Sequence, residues 1–334
     1  MNQIQLVGMD VSAKLLVAWV DPQPGAIEKL EVPNTPEGHR RLCRRLTRQG
    51  RQARVVMEAT GLYGLDVALA LHRQPGIEVM VVNPRAVRDF ARACLRRSKT
   101  DALDAQVLVD FARRMPFQAW QPPTRQRLEL RAIARRIAAL TELRTQEKNR
   151  LHAVSSSRHL GTIVRQDLER SIRHLDRSLE RLQKQAQQLV ATDSQLQLAW
   201  TCLTSVKGVA AKSAIQILGE LCVLPHDMTA RQWVAHAGLD PRHIESGTSV
   251  HKPARISRVG NRYLRAALYM PALTATRFEP HVRAFHDQLL ARGKKPLQVI
   301  VAIMRKLLHS FHAMLSDGTC FKGDGFRHLE PTAP

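Results

Sequence analysis

Asp101 and Asp104 stand three residues apart in "RRSKTDALDAQ", directly after Arg96, Arg97 and Lys99. On a helix, positions three apart share a face, and two carboxylates there repel by about 0.2–0.5 kcal/mol. Two further acids sit in apolar surroundings: Asp10 in "IQLVGMDVS" and Glu58 at the end of "ARVVME". An acid in such a place is costly unless it is paired, solvated or bound to a metal. Each alone fits an ordinary position, because a strand end can face water and Asp is favoured at a helix start. Together, four carboxylates from one α/β region could converge on one edge of a sheet. Their mutual repulsion then calls for divalent cations, and hard oxygen ligands in that number suit Mg2+ or Mn2+. Two such ions about 3.5–4 Å apart would clamp the attacking and leaving oxygens of a phosphodiester. The neighbouring Arg and Lys would help to draw the phosphate in.

A second stretch, "HIESGTSVHKPARISRVGNRYLR", carries Ser246, Ser249 and Ser257. Around them stand Arg242, Lys252, Arg255, Arg258, Arg262 and Arg265, with Glu245 the only acid. A basic loop that opens a helix makes a phosphate cradle, and the Ser-Gly step lets the backbone come close to a ligand. Judged from the residues alone, these serines are turn formers. A nucleophilic serine needs activation, and no His-Asp pair stands nearby. "SVKGVAAKS" resembles a helix-hairpin-helix, with Gly208 in the hairpin beside Lys207 and backbone N–H groups facing a phosphate. The second glycine usual there is Ala210, so an ordinary helix–turn–helix packing unit is an equal alternative.

These residues need elements to hold them. The first third of the chain alternates strand and helix signals: three hairpin-connected strands over "IQLVGMDVS", "KLLVAWVD" and "IEKLEVPN", then β-α units. That pattern predicts an α/β mixed sheet with helices on its faces, closed by a helix over "SKTDALDAQVLVDFARR". "TPEGHRRLCRRLTRQG" has a Thr N-cap, Pro at the first helical position and a closing Gly. "WQPPTRQ" marks a boundary. Beyond it Leu168, Ile172, Leu175, Leu179, Leu182, Ala186 and Leu189 keep a 4-3 rhythm, a coiled-coil seam in a helical hairpin. Such a hairpin is either an internal strut or an oligomerisation arm. The rest reads as mostly helical with one polar loop around the serines, and the segment from Gly318 is expected to fray. The division is therefore 1–120, 121–195, 196–317 and a flexible tail 318–334.

The chain has 334 residues and a formal net charge of +22. Such an excess on a globular protein points to a polyanion, with nucleic acid ahead of an anionic membrane surface. No apolar run stands out as long enough to span a bilayer, and the first residues lack the pattern of a signal peptide. Cys43, Cys94, Cys202, Cys222 and Cys320 are scattered and odd in number, which fits free thiols in a reducing compartment. Aromatic residues make up only 4%, so contacts to the nucleic-acid backbone should outweigh base stacking.

The order strand-Asp, strand-Glu, helix-Asp-x-x-Asp resembles the RNase H-like fold of the RuvC type. As a whole the chain resembles the DEDD transposases of the insertion-sequence family numbered one hundred and ten. The matching pieces are "GMDVSAK", "MEATGLY", "VNPRAVRDFA", "SKTDALDA", "SVKGVAAKSA", "AGLDPRHIESGTS" and "RYLRAALYMPA". They follow the family order from about Leu6 to the last helix. The resemblance implies a metal-binding tetrad of Asp10, Glu58, Asp101 and Asp104. It also implies that Ser246, in the Ser-Gly step, is the nucleophile that forms a covalent phosphoserine link. Further implications are donor and target double-stranded DNA, a noncoding guide RNA that pairs with both, and a homo-oligomer, a dimer or a tetramer. The setting would be a bacterial-type cytoplasm, at the nucleoid, with no membrane partner. A metal-dependent nuclease of branched DNA, working without a covalent intermediate, would use the same tetrad and leave Ser246 structural.

Affinity for nucleic acid is expected to be mostly electrostatic. The log of the binding constant for duplex DNA should fall linearly with log salt, by about 0.9 per neutralised phosphate. A flat salt dependence in a filter-binding titration would contradict this.

Overall fold

Alternation with period two governs the first third of the chain. Strands β1 (Ile4–Val11), β2 (Leu15–Asp21) and β3 (Glu28–Pro33) follow one another as an antiparallel meander. Strands β4 (Gln52–Glu58) and β5 (Ile77–Val82) continue the sheet in parallel on the other side of β1, in the order β3-β2-β1-β4-β5. This mixed five-stranded sheet is compatible with the expected RNase H-like domain. The fold is seen in a computed structural model, which describes residues 4–21, 28–59, 61–95, 101–157, 162–246 and 250–326. Residues 101–105, 243–246, 250–254 and 324–325 are described by their backbone alone.

Both faces of the sheet are covered. Val7, Met9, Val55 and Met57 pack on one side against helices α1 (Pro36–Leu46) and α2 (Leu65–Arg73), through Leu42, Leu46, Val67 and Leu71. Val56 and Val82 face the other side. There they meet Val87 of α3 (Pro84–Ala93) and Val107, Leu108 and Phe111 of α4 (Asp101–Arg114). Capping sets where the helices begin: the Thr35 hydroxyl accepts from Gly38 N and the Asn83 side chain from Arg85 N, each before a proline in the first turn. On the α4 side, buried Asp21 is paired with Arg113, which also reaches Asp110.

The chain divides into two compact units, Met1–Pro122 and Pro123–Pro334. In the second, α5 (Arg125–Ser155) and α6 (Thr162–Ala191) pack along one another. Their buried Leu130, Ala134, Ile137, Leu179, Ala186 and Val190 share one core with α7 (Ser194–Thr204), α8 (Ala211–Leu221), α10 (Arg262–Phe278) and α12 (Pro296–Asp317). Two more helices belong to the unit. The first is α9 (Ala230–His236), started by a Thr229–Gln232 capping box, and the second is α11 (Pro280–Ala291), started by its own proline.

Three sequence expectations are corrected here. The polar segment around the serines contains two paired antiparallel strands, β6 (Pro241–Ser246) and β7 (Val250–Ile256), in which Ser246 pairs with Val250. Ile244, Val250 and Ile256, alternating with polar residues, carry that strand signal. The segment after Gly318 is docked as far as Phe326, which is buried against Phe285 and Phe321. Helix α12 is long and apolar enough to cross a membrane by length and composition. It is nevertheless a core helix, with Val299, Ile303, Leu307, Leu308 and Phe311 buried inside the second unit.

Gly208, in the turn between α7 and α8, has φ +118, and a Cβ there would lie 2.8 Å from Ala275 N of α10. Gly208→Ala should lower stability by about 1–3 kcal/mol in urea unfolding. Lys207→Ala, on an exposed side chain, should change it by less than about 0.5 kcal/mol.

Candidate functional site

Met9 of β1 is paired with Met57 of β4, and both side chains are buried toward α1 and α2. Asp10 and Glu58 are each the next residue along these parallel strands. Alternation therefore sends both carboxylates to the opposite face, the one α4 covers. Both are half-buried. By helical period, positions 101 and 104 begin the row continued by Leu108 and Phe111, the row α4 buries. The side chains of Asp101 and Asp104 lie outside the described residues, as do Arg96, Arg97 and Lys99. Among the described residues no three His, Cys, Asp or Glu side chains form a metal cluster. The described pair, Asp10 and Glu58, offers hard oxygen donors from neighbouring strands, which fits a Mg2+-type ion.

The loops beyond these strand ends are tied by a residue that the sequence reading missed. Asn34 Nδ2 donates to Ser12 O at 2.9 Å and to Tyr63 O at 3.0 Å, so one amide joins the turn after Asp10 to the turn after Glu58. Its Oδ1 lies 2.8 Å from His39 Nε2. The only sequence signal was an Asn just before the Thr-Pro helix start.

The serine hairpin is anchored at its root. Ser257 Oγ donates to Asp240 Oδ1 at 2.5 Å, and Arg258 N donates to Gly238 O at 3.1 Å across a left-handed Arg258 (φ 53). A Cβ on Gly260 (φ +130) would sit 2.2 Å from His236 O, so only glycine fits where the segment after β7 passes the end of α9. Asn261 then caps α10, accepting from Tyr263 N and Leu264 N, while its amide donates to Glu220 Oε2 at 2.7 Å. Glu220 is buried and takes a two-pronged ion pair from Arg135 of α5, at 2.7 and 2.9 Å. Ser257 is thus a structural serine. Ser249 and the Ser246 side chain lie outside the described residues.

The basic residues named from sequence are spread around this root. Arg242, Arg255, Arg258 and Arg262 are exposed. Arg265 is half-buried and donates to Ala237 O at 2.7 Å. The Lys252 side chain lies outside the described residues. Glu220, Arg135 and Asn261 escaped the sequence reading. Glu220 was legible as a lone acid in "IQILGELCVL", and Asn261 as the residue that opens "NRYLRAAL".

Residues 7–157 match the DEDD transposase family of the IS110 type, and residues 201–287 match the transposase IS116/IS110/IS902 family. The chain is 29% identical over 272 residues to pilin gene-inverting proteins of Moraxella lacunata and Moraxella bovis, across 80% of this chain and 81% of each relative. It is 34% identical over 123 residues to a 43.6 kDa protein of the insertion element IS110 from Streptomyces coelicolor, across 36% of this chain and 29% of that one.

Removing one partner of a buried ion pair leaves an uncompensated charge. Arg135→Ala should therefore cost about 3 kcal/mol, the low end of the usual range because the guanidinium is partly exposed. Chemical denaturation measures it. Burial holds His236 below the ordinary histidine range. The unfolded chain therefore takes up this proton at higher pH than the folded one. The stability His236 contributes is complete above pH ~6.5 and is lost as pH falls through its lowered folded value. His236→Gln should flatten the fall in melting temperature between about pH 7 and 5.

Proposed function

Because this chain belongs to the IS110 family of transposases, we propose that it cuts and rejoins DNA strands through a covalent link to Ser246, with divalent-metal assistance. The observation that carries the metal half is the register: Asp10 and Glu58 leave adjacent parallel strands on the face covered by the helix that Asp101 begins. Asp10, Glu58, Asp101 and Asp104 would hold Mg2+ or Mn2+. The ion, when bound, neutralises charge at the scissile phosphate and activates the attacking oxygen. Arg96, Arg97 and Lys99 precede the helix and would bring in the DNA backbone.

Ser246 stands at the tip end of β6, within the segment that matches the transposase family. Its Oγ would attack the scissile phosphorus, forming the serine–phosphate bond as the bond to one strand oxygen breaks. The serine proton is lost to solvent and the leaving oxygen gains one. Attack by another strand's hydroxyl reverses these changes and frees the serine, so no high-energy cofactor is needed. The name of the Moraxella relatives, gene-inverting proteins, supports such exchange with rejoining. Lys207, Gly208, Arg242, Lys252, Arg255, Arg258, Arg262 and Arg265 would contact the nucleic acid. Sequence choice would come from a noncoding guide RNA, with the protein reading backbone and shape. On this reading the work divides among a catalytic region, a coiled-coil hairpin, a serine-bearing region and a tail. Leu143, Ile163 and Val164 are exposed on the two hairpin helices, which favours the hairpin as the arm that joins protomers into a dimer or tetramer. The site of action would be the bacterial nucleoid.

Asp101→Asn should reduce strand cleavage at least about a hundredfold while leaving DNA binding largely intact. Undiminished cleavage would remove the tetrad. Ser246→Ala should abolish the protein–DNA adduct on a denaturing gel, and an adduct that persists would turn attention to Ser249. Cleavage by the unaltered chain without any adduct would favour the hydrolytic nuclease. Ser246→Ala and Asp10→Ala chains, each inactive, should recover partial cleavage when mixed if two protomers supply one site. No recovery in an assembly shown to contain both would mean that one chain supplies both groups.

A further inference from the structure

The second unit contains a cleft of about 1530 Å³, walled by α5, α10, α12 and the end of β7. Eight basic residues line it against two acidic ones, and setting aside the Arg135–Glu220 pair leaves seven against one. Lys294 and Lys295, in the link between α11 and α12, and Arg305 on α12 add positive charge from elements outside the serine hairpin. Nε of Arg305 is buried and, among the described residues, finds no hydrogen-bond partner. The unbalanced charge calls for a polyanion.

The floor has a different character. Ala138 and Ala139 of α5, Ala266 of α10 and Ala302 of α12 keep the walls low. Leu297 stays 63% exposed and Tyr269 40% exposed on the lining. Tyr263 is already covered by the guanidiniums of Arg135 and Arg262, at 4.8 and 5.0 Å from its ring, which leaves Tyr269 as the lining aromatic with an open ring. The cleft exceeds the volume of an ordinary small-molecule pocket, about 300–1,000 Å³. A duplex offers phosphates but keeps its base faces stacked away. A single strand offers both phosphates and bare base faces, which matches a cationic rim over an apolar floor.

We infer that this cleft binds a single-stranded polynucleotide, with phosphates on the Lys294–Lys295 and Arg305 side and a base on Tyr269. The inference rests on the reading of the chain as a nucleic-acid enzyme and adds to it a site for unpaired strand. DNA and RNA share this chemistry, and two probes separate them.

The test uses the full chain and fluorescence anisotropy with oligo-dT and oligo-rU of about twelve nucleotides, beside a duplex of equal length. Lys294→Glu with Lys295→Glu should weaken binding of one or both single strands at least about tenfold, and Tyr269→Ala at least about fivefold, with Tyr269→Phe near the parent. Duplex affinity should change less than about twofold. The probe that responds identifies the strand type. Equal losses on duplex and single strand, or no loss on either, would overturn the inference. So would a change in oligomeric state on Tyr269→Ala with unaltered binding, which would give the cleft to a second copy of the chain. Melting curves identify any variant that fails to fold, and in that event photocrosslinking of iodouracil oligomers to the unaltered protein decides: crosslinks at Tyr269 support the site and crosslinks confined elsewhere refute it. A parent chain that binds no polynucleotide would remove the nucleic-acid reading itself. One that cleaves DNA but binds single strands independently of these residues would remove only the cleft.

Discussion

Burial of both faces of the five-stranded sheet is the constraint on which the amino-terminal unit depends. With α1 and α2 on one side and α3 and α4 on the other, an inward-pointing side chain must be apolar, paired or close to a strand end. Asp21 is paired with Arg113. Asp10 and Glu58 come at or near the ends of parallel strands, where side chains reach the edge of the sheet. In open α/β sheets that edge is where ligands gather, because the helices stop covering it there. The same constraint orients α4, whose Leu108 and Phe111 must meet the sheet.

The second unit depends on a different device. Glu220 is a buried carboxylate whose cost is offset by a two-pronged Arg135 and by Asn261. Those three residues belong to α8, α5 and the start of α10. One ionic knot therefore joins the long helical hairpin to the helix that follows the serine strands. A buried pair of this kind adds little net stability over a hydrophobic replacement, but breaking it is expensive. Its effect is to fix a register among helices. With Gly260 pressed against His236 and Ser257 bound to Asp240, the root of the β-hairpin has little freedom. The strands that rise from this root inherit its direction.

Charge is distributed unevenly over these frameworks. Most ion pairs within them, such as Arg40–Glu37 and Arg54–Glu78, are exposed and contribute little to stability. The cations that matter most to a polyanion are those left over. Many of them face one cleft, where low apolar walls keep them close together.

The sequence by itself determined the local and periodic features. Strand alternation, the Thr35 and Asn83 helix starts, the paired aspartates and the basic serine segment were all legible because each is written within a few residues. The family resemblance was legible for the same reason, as a string of short motifs. Tertiary structure alone decided what depends on residues distant in the chain. Glu220 meets Arg135 across 85 positions, and Asn34 joins turns that the sequence separates. Ser257 proved structural only once Asp240 stood beside it. The serine segment was read as a loop because its strand signal is short and polar, and pairing with its own return strand is what made it a hairpin. The cleft could not be read at all. Its lining comes from five helices, the two serine strands and the links between them, and a hollow is defined by the small residues at which helices fail to fill space, which no local pattern records.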